Sequence, residues 1–438
     1  MKFGDKAVFR VERVDKKGRG VGKIGGKTAF VPFAIAGEEV EATLVKRDGS
    51  EYRMKLNSVI TPSPARITPR CKYAGVCGGC AWQQFDYAMQ LEMKRDLVNA
   101  ALAKIDQRVE SVMPAVSLFG YRNRMDYCVG WRGELGLKEP GRWNGYIDLE
   151  ECHLLSDDAV EAMRQFRAYM KEEAVVPWDG KKNTGYARYM VIREGKRTKQ
   201  RMITIVTADA PLPAKEKLLA ALAPLATTIY HGINPTITDL SLAPQLELLH
   251  GAPELEETVD GKTFRIPPNA FFQTNTVMAE KLVETAREFL SASRPNILLD
   301  LYCGVGLFGI CLAGDAERVV GVELDASAIA VASGNAERNG VKNATYVAAK
   351  AEDITWSAEK PDTIIIDPPR SGLHPKVAET LLTLAAPRVL YVSCNYETFV
   401  RDFAVLGRDY TITRIAALDL FPHSPHVETI ALLERKTR

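Results

Sequence analysis

The C-terminal part of the chain alternates short apolar stretches with helical ones. The apolar stretches are of strand length and stand at residues 297–301, 319–323, 363–367 and 389–393. Strands that alternate with helices in this way pair in parallel, because each helix returns the chain to the same edge of the sheet. The pattern therefore predicts an α/β domain whose ligands bind beyond the carboxyl ends of its strands.

Two of these strand ends indicate a nucleoside site. The first strand runs into the loop 302–306, where Gly304 and Gly306 let a ligand approach the backbone closely. The second ends in Glu323, at a position where a carboxylate can accept hydrogen bonds from two ribose hydroxyls. The chain lacks both the three-glycine phosphate-binding pattern and a P-loop lysine. S-adenosylmethionine, a nucleoside without phosphates, therefore fits this loop better than NAD or ATP does.

Three further polar residues stand close to strand ends. Asp367 precedes two prolines that fix the backbone, Cys394 follows the next strand, and Glu428 ends the proline-constrained loop 421–428. A lone cysteine is most often a small buried apolar residue, and a lone glutamate is most often a solvated one. At the edge of a sheet where ligands bind, a role in chemistry is favoured instead.

These residue types suit methylation of a pyrimidine at C5. Uridine C5 is too poor a nucleophile to take a methyl group unaided, but a thiolate that adds to C6 turns the base into an enolate. A base must then remove the C5 proton so that the thiol can leave. Cys394, Glu428 and Asp367 supply a thiol, a base and a rigid polar group for the edge of the pyrimidine.

The surrounding motifs resemble those of the RNA 5-methyluridine methyltransferases, the TrmA/RumA family. Residues 367–398 contain Asp-Pro-Pro-Arg-x-Gly and Ser-Cys-Asn, and residues 418–428 contain Phe-Pro-His-Ser-x-His-Val-Glu. The resemblance implies a Rossmann-like methyltransferase domain in which Cys394 is the nucleophile, Glu428 the proton acceptor and Asp367 a further catalytic residue. It also implies four residues that bind S-adenosylmethionine: Gln273, Tyr302, Glu323 and Asp367.

Two positions depart from the pattern of that family. Tyr396 stands where many members have proline after Ser-Cys-Asn. Leu307 stands where some members have an asparagine that contacts the cofactor. Neither departure removes a chemical group that the mechanism requires, although Leu307 removes one expected contact.

Four of the eight cysteines form a second candidate site: Cys71, Cys77, Cys80 and Cys152. Four thiolates hold either zinc or an iron–sulfur cluster, and spacing alone does not choose between them. The arrangement is similar to the [4Fe–4S] site of the RumA branch, which implies a cluster. The five residues between the first two cysteines differ from the C-x3-C-x2-C spacing of radical S-adenosylmethionine enzymes, and this disfavours radical chemistry.

The N-terminal residues indicate an RNA-binding barrel. Residues 1–60 read as short strands separated by glycine-rich turns, which is typical of small closed barrels that bind oligonucleotides, and they resemble a TRAM domain. Residues 1–70 carry 15 Lys and Arg against 8 Asp and Glu, and residues 180–201 carry 8 against 1. Such gathered basic charge suits a polyanion, although solvated loops are an equally good explanation. Candidate base-stacking and phosphate-binding residues lie in the middle of the chain: Tyr121, Trp131, Trp143, Arg122, Arg124 and Arg142.

The sequence as a whole predicts three domains. They are a TRAM-like barrel (1–61), a mixed central iron–sulfur domain (62–85 and 115–262) and a catalytic domain (86–114 and 263–438). We predict methylation of one uridine at C5, in 23S rRNA by preference and in tRNA as the alternative. An iron–sulfur radical RNA-modifying enzyme and a non-catalytic RNA-binding assembly factor are further alternatives. The absence of a secretory signal predicts a cytoplasmic location, and we expect a monomer with no membrane partner.

Overall fold

The computed structural model describes residues 1–292, 294–353 and 355–437. Its N-terminal strands are β1 (Lys6–Val14), β2 (Gly20–Ile24), β3 (Lys27–Val31), β4 (Glu39–Asp48) and β5 (Glu51–Thr61). They close into a barrel in the order β1-β2-β3-β5-β4, so the predicted N-terminal barrel is confirmed. Alternate residues of β4 point inward, and Val40, Ala42 and Leu44 are fully buried there.

A helix and a short strand follow the barrel. Helix α1 (Tyr87–Leu102) begins after Asp86, whose carboxylate accepts a hydrogen bond from the Ala88 amide and so caps the helix. Strand β6 (Val112–Met113) comes next. Neither element joins the central sheet, because both pack with the C-terminal part of the chain.

The middle of the chain forms a mixed seven-stranded sheet. Its strands are β7 (Arg124–Val129), β8 (Leu135–Lys138), β9 (Tyr146–Asp148), β10 (Ala187–Glu194), β11 (Arg201–Thr207), β12 (Thr228–Ile233) and β13 (Gln245–Gly251). The strand order is β13-β12-β11-β10-β7-β8-β9. Helix α2 (Asp157–Glu172) packs its buried Phe166 into the core of this sheet, and α3 (Lys215–Leu222) contacts α2. A separate hairpin, β14 (Leu255–Val259) and β15 (Lys262–Ile266), leads to the last part of the chain.

The C-terminal part is an eight-stranded sheet between helices. Its remaining strands are β16 (Ile297–Leu301), β17 (Arg318–Glu323), β18 (Ala344–Ala348), β19 (Thr363–Ile366), β20 (Arg388–Ser393), β21 (Tyr410–Leu418) and β22 (Glu428–Arg435). Its helices are α4 (Thr276–Leu290), α5 (Leu307–Cys311), α6 (Ala326–Arg338), α7 (Pro375–Leu384) and α8 (Tyr396–Leu406). The order is β18-β17-β16-β19-β20-β22-β21-β6. β16, β17, β19 and β20 pair in parallel as predicted, and β18, which was not predicted, pairs with β17 in parallel.

Burial on both faces explains why the strands of this sheet are continuously apolar. All four residues of β19 are buried, and neighbouring residues belong to different cores. Ile365 packs with the apolar face of α4, whereas Ile364 packs with α7 and α8. Because successive side chains of a strand point to opposite faces, a strand covered on both sides has no polar alternation.

None of the helices in the described ranges is both long and apolar enough to cross a membrane.

Candidate functional site

The carboxyl ends of β19 and β20 meet at one edge of the C-terminal sheet, and the predicted catalytic residues lie there. Asp367 follows β19, Cys394 follows β20, and Glu428 is the first residue of β22. Ser393 pairs with Thr429 in antiparallel register, so Cys394 and Glu428 are the next residues along the two paired strands. The sheet edge therefore brings a thiol and two carboxyl groups together.

The loop after β16 leaves room for a ligand. It passes through three residues with positive φ, namely Tyr302 (65°), Gly304 (53°) and Gly306 (89°). The Gly304 amide donates to Glu323 Oε2 at 3.3 Å, which ties the loop to the end of β17. A Cβ atom at Gly304 would meet no atom within 4 Å. An open glycine backbone beside a carboxylate at the end of the next strand fits the adenosine of S-adenosylmethionine.

Gln273 is hydrogen-bonded to Asp367 at the edge of the sheet. Its Nε2 donates to Asp367 Oδ2 at 3.2 Å, although the two residues are far apart in the chain. Asn123, from the central part of the chain, donates to the Gln273 carbonyl at 2.8 Å and to Thr276 Oγ1 at 3.0 Å. Asn123 was not predicted from the sequence, because no motif surrounds it and its partners lie in a distant part of the chain.

Burial keeps the acidic groups of the site from ionising easily. The pKa of Asp367 is raised to about 7 because the carboxyl group is buried, although the hydrogen bond from Gln273 acts in the opposite direction. The pKa of Glu428 is raised well above its ordinary value by burial and by the charge of Asp367. Glu428 Oε1 is buried and has no hydrogen-bond partner among the described residues. An unpartnered buried carboxyl oxygen is typical of a functional site.

The thiol of Cys394 is also protonated at neutral pH. Burial first, and then the charges of Glu428 and Asp367, raise its pKa to about 11. The guanidinium of Arg370 acts in the opposite direction. Arg370 Nη2 also lies 3.3 Å from His426 Nδ1, and burial followed by the Arg370 charge lowers the pKa of His426 to about 4. The neutral imidazole thus lies beside the one cation that favours the thiolate.

The two departures from the family pattern are both buried. Tyr396 is the first residue of α8 and packs in the core between α8 and the sheet. Leu307 begins α5 and packs in the core on the other face. Both residues therefore contribute apolar packing at the ends of the helices that flank the site.

The four candidate ligand cysteines surround one cavity. Cys71, Cys77, Cys80 and Cys152 all line it, and burial raises the pKa of the Cys77 thiol to about 11 and that of Cys80 to about 12. Within the described part of the chain, no group of three or more His, Cys, Asp or Glu side chains is arranged to hold a single metal ion. The structure therefore brings the four thiols to one place without the compact geometry of a zinc site.

The candidate RNA-stacking aromatics divide into exposed and buried residues. Trp143 is 61% exposed and Trp131 is 47% exposed, with the Arg132 guanidinium 4.8 Å above the Trp131 ring. Tyr121 is buried, and its hydroxyl donates to the Pro422 carbonyl at 3.2 Å, so its candidacy for stacking on RNA was wrong. Its ring packs in the core of the central part of the chain, while its hydroxyl finds a hydrogen-bond partner in the C-terminal part.

The second basic segment is less available to RNA than its composition suggests. Arg188, Arg193 and Arg201 are buried, and each donates to backbone carbonyls inside the fold. The exposed cations of residues 180–201 are Lys181, Lys182, Arg197 and Lys199. The barrel therefore carries the larger exposed basic surface.

Comparison with protein families gives a match to the C-terminal part. Residues 254–436 match the family described as tRNA (uracil-5-)-methyltransferase. That range contains the candidate catalytic residues and the loop after β16.

Comparison with individual proteins extends the similarity to nearly the whole chain. A tRNA (uracil(54)-C(5))-methyltransferase of Pyrococcus furiosus is 38% identical over 410 residues, which are 93% of this chain and 95% of that protein. An uncharacterised RNA methyltransferase of Nanoarchaeum equitans is 36% identical over 97% of this chain and 92% of its own length. The crystal structure of the Pyrococcus abyssi tRNA (uracil-54, C5)-methyltransferase with S-adenosyl-L-homocysteine matches with a TM-score of 0.83 and 33% identity, covering 97% of this chain and 99% of that one.

Proposed function

This chain belongs to the RNA uracil-5-methyltransferase family, which uses S-adenosylmethionine, and on that premise we propose that its RNA substrate is a tRNA. The observation that carries the proposal is the extent of the similarity to the two Pyrococcus enzymes, which are named for uridine 54 of tRNA. The similarity extends over the barrel and the central sheet, which would bind the parts of the RNA that flank the target base. The preference for 23S rRNA that the sequence suggested has no such support, and tRNA uridine 54 replaces it.

Cys394 is the nucleophile in this proposal. Its thiolate adds to C6 of the uracil, and the C5–C6 electron pair moves toward C5 and O4, which makes C5 nucleophilic. The thiol must first lose its proton, because its pKa of about 11 keeps it neutral in the free protein. Arg370 is the group that favours the thiolate, and the adjacent sheet edge holds the sulfur in place.

Glu428 is the base that completes the reaction. After methylation it removes the proton from C5, the C5–C6 double bond re-forms, and the bond between C6 and Cys394 breaks. A carboxyl group in water is too weak a base for this step, and burial with the nearby Asp367 charge raises the pKa of Glu428 in the required direction.

Four residues would hold the cofactor: Gln273, Tyr302, Glu323 and Asp367. S-adenosylmethionine supplies an electrophilic methyl group when bound there. Glu323 would accept hydrogen bonds from the ribose, as it already does from the Gly304 amide. Gln273 and Asp367 hold each other at the boundary between this loop and the catalytic edge, so both are positioned before any ligand arrives.

The four cysteines around the cavity would hold a [4Fe–4S] cluster. A cluster is larger than one ion and spaces its thiolates farther apart, which agrees with thiols that line a cavity without forming a single-ion site. Protein purified without oxygen is expected to contain about four iron and four sulfide per chain, and Cys80→Ala is expected to lose both. Zinc at one ion per chain in the unmutated protein would contradict the cluster.

Methylation of defined transcripts tests the substrate. Purified protein and S-adenosylmethionine are incubated with unmodified tRNA and, separately, with unmodified 23S rRNA, and 5-methyluridine is located by nuclease digestion and mass spectrometry. We expect one methyl group in tRNA, in the fragment that contains uridine 54, and none in rRNA. Methylation of rRNA alone would keep the reaction and overturn the proposed substrate.

A further inference from the structure

The loop that leads into Glu428 is fixed by groups outside it. The backbone carbonyls of residues 420–423 are consecutive, and each accepts a hydrogen bond from a different segment of the chain. The distances lie between 2.9 and 3.2 Å: Asn275 Nδ2 to Leu420 O, Lys94 Nζ to Phe421 O, Tyr121 Oη to Pro422 O, and the Ala81 amide to His423 O. Four donors on four successive carbonyls leave this stretch of backbone little freedom.

Gln90 of α1 connects this loop to the segment that follows Cys80. Its side chain is fully buried, and its Oε1 accepts from the His423 amide at 2.9 Å. Its Nε2 donates to the carbonyls of Trp82 at 3.0 Å and Phe85 at 2.9 Å. One carboxamide thus joins three backbone groups in two segments of the chain.

His423 needs this support because its backbone is strained. Its φ is 67°, in the left-handed region that favours glycine. Such a conformation costs on the order of 1 kcal/mol or more and persists only where the surroundings determine it. The His423 amide donates to Gln90, and the His423 carbonyl accepts from the Ala81 and Trp82 amides, so the backbone is held on both sides of this residue.

A buried ion pair fixes the beginning of the loop. Lys94, one turn after Gln90 in α1, pairs with Asp419, and both side chains are fully buried. Asp419 also accepts from the Phe421 amide at 3.0 Å and from Tyr87 Oη at 3.0 Å. Helix α1 therefore holds both ends of the segment 419–423.

From these contacts we propose that Gln90 is a positioning residue for proton removal from C5. The inference rests on the proposed role of Glu428 as the base. Glu428 Oε1 has no hydrogen-bond partner in the described part of the chain, so the backbone that leads into β22 sets where the carboxyl group lies. Gln90 fixes that backbone through His423 and makes no hydrogen bond to Cys394.

The position of Gln90 predicts which step fails when it is changed. Addition of Cys394 to C6 and methylation of C5 do not use Glu428, so they should continue. Removal of the C5 proton does use it, and a displacement of about 1 Å can slow such a step by up to about 100-fold. The methylated RNA should then stay covalently attached to Cys394.

The test measures the covalent protein–RNA species over time. Gln90→Ala and Tyr121→Phe are mixed with S-adenosylmethionine and the labelled transcript that the unmutated protein methylates, and samples are separated on denaturing gels. We expect release of the RNA to slow by about 10-fold to 100-fold in Gln90→Ala, with attached RNA accumulating. Tyr121→Phe loses one hydrogen bond to the same loop and keeps its ring, so a smaller accumulation is expected even if Gln90→Ala does not fold.

Three control variants make the result specific. Glu428→Gln should accumulate the attached RNA, and Cys394→Ala should show none. Asn234→Ala removes another buried carboxamide with several backbone partners, in the central part of the chain, and should not accumulate it. Accumulation in Glu428→Gln but in neither loop variant overturns the role of Gln90. No accumulation in Glu428→Gln overturns the proposed role of Glu428 itself.

Discussion

At the scale of single residues, the proposed chemistry depends on side chains whose pKa burial has raised. Cys394, Asp367 and Glu428 all have a raised pKa, and they lie at the ends of adjacent strands. Among the charges that shift the pKa of the Cys394 thiol, only that of Arg370 lowers it. The free protein therefore keeps Cys394, the proposed nucleophile, protected as a thiol, which limits its reaction with other electrophiles.

Removing the charge of Glu428 should make Cys394 more acidic. Since that charge raises the pKa of the thiol, Glu428→Gln should move the alkylation of Cys394 by iodoacetamide to lower pH. Below the pKa, the rate rises about tenfold per pH unit because the thiolate fraction does. Mass spectrometry of the Cys394 peptide between pH 7 and 11 measures the midpoint. Glu379→Gln, an exposed change in α7, is the matched control, and an unchanged midpoint in Glu428→Gln would refute the electrostatic account.

At the scale of helices and strands, the sequence predicted what is locally encoded. β16, β17, β19 and β20 were predicted because a buried parallel strand is a short apolar run, whereas the more exposed β18 was not. The antiparallel β21 and β22 were not identified. The pairing of β22 with β20 places Glu428 beside Cys394, and such register between distant segments leaves no local pattern. The short strand β6, which pairs with β21, was missed for the same reason.

The glycine loop after β16 is an element whose geometry tolerates little change. Gly306 has φ of 89°, and a Cβ there would lie 3.0 Å from Ile310 Cδ1 and 3.1 Å from Tyr346 Oη. Gly306→Ala should therefore cost about 1–3 kcal/mol of stability and weaken S-adenosylmethionine binding. Gly340→Ala is the matched control, since φ there is 66° and a Cβ would meet nothing within 4 Å. Urea unfolding and calorimetric titration measure both effects, and equal cofactor affinity in the two variants would contradict the role of the loop.

At the scale of the whole molecule, the barrel contacts both the segment that follows it and the C-terminal part of the chain. Trp82 Nε1, in the following segment, donates to the Gly18 carbonyl at 3.0 Å, and Lys16 pairs with Glu397 of α8 at 2.6 Å. Because α8 follows Cys394 directly, the turn between β1 and β2 lies near the rim of the catalytic edge. The sequence predicted the reaction and gave tRNA only as the alternative substrate, because the same catalytic residue types serve any uridine.

Exposed lysines of the barrel should carry part of the RNA affinity. Replacing Lys17, Lys23 and Lys55 with glutamine should weaken tRNA binding and reduce the slope of log K against log salt by up to about one per lysine that contacts phosphate. Turnover at saturating tRNA should stay unchanged, because these residues lie outside the catalytic edge. Lys376→Gln in α7 is the matched control. Binding titrations at several KCl concentrations measure the slope, and equal slopes would show that RNA binds elsewhere.

Trapping the covalent intermediate tests the central claim most directly. A tRNA transcript with 5-fluorouridine cannot lose a proton from C5 after methylation, so the adduct with the attacking residue should persist. We predict that the unmutated protein, given S-adenosylmethionine, forms one protein–RNA species that survives denaturing electrophoresis. Peptide mapping should place the attachment at Cys394. The Cys394→Ala variant should form no such species. Methylation of ordinary tRNA by Cys394→Ala, or an adduct at another residue, would contradict the account.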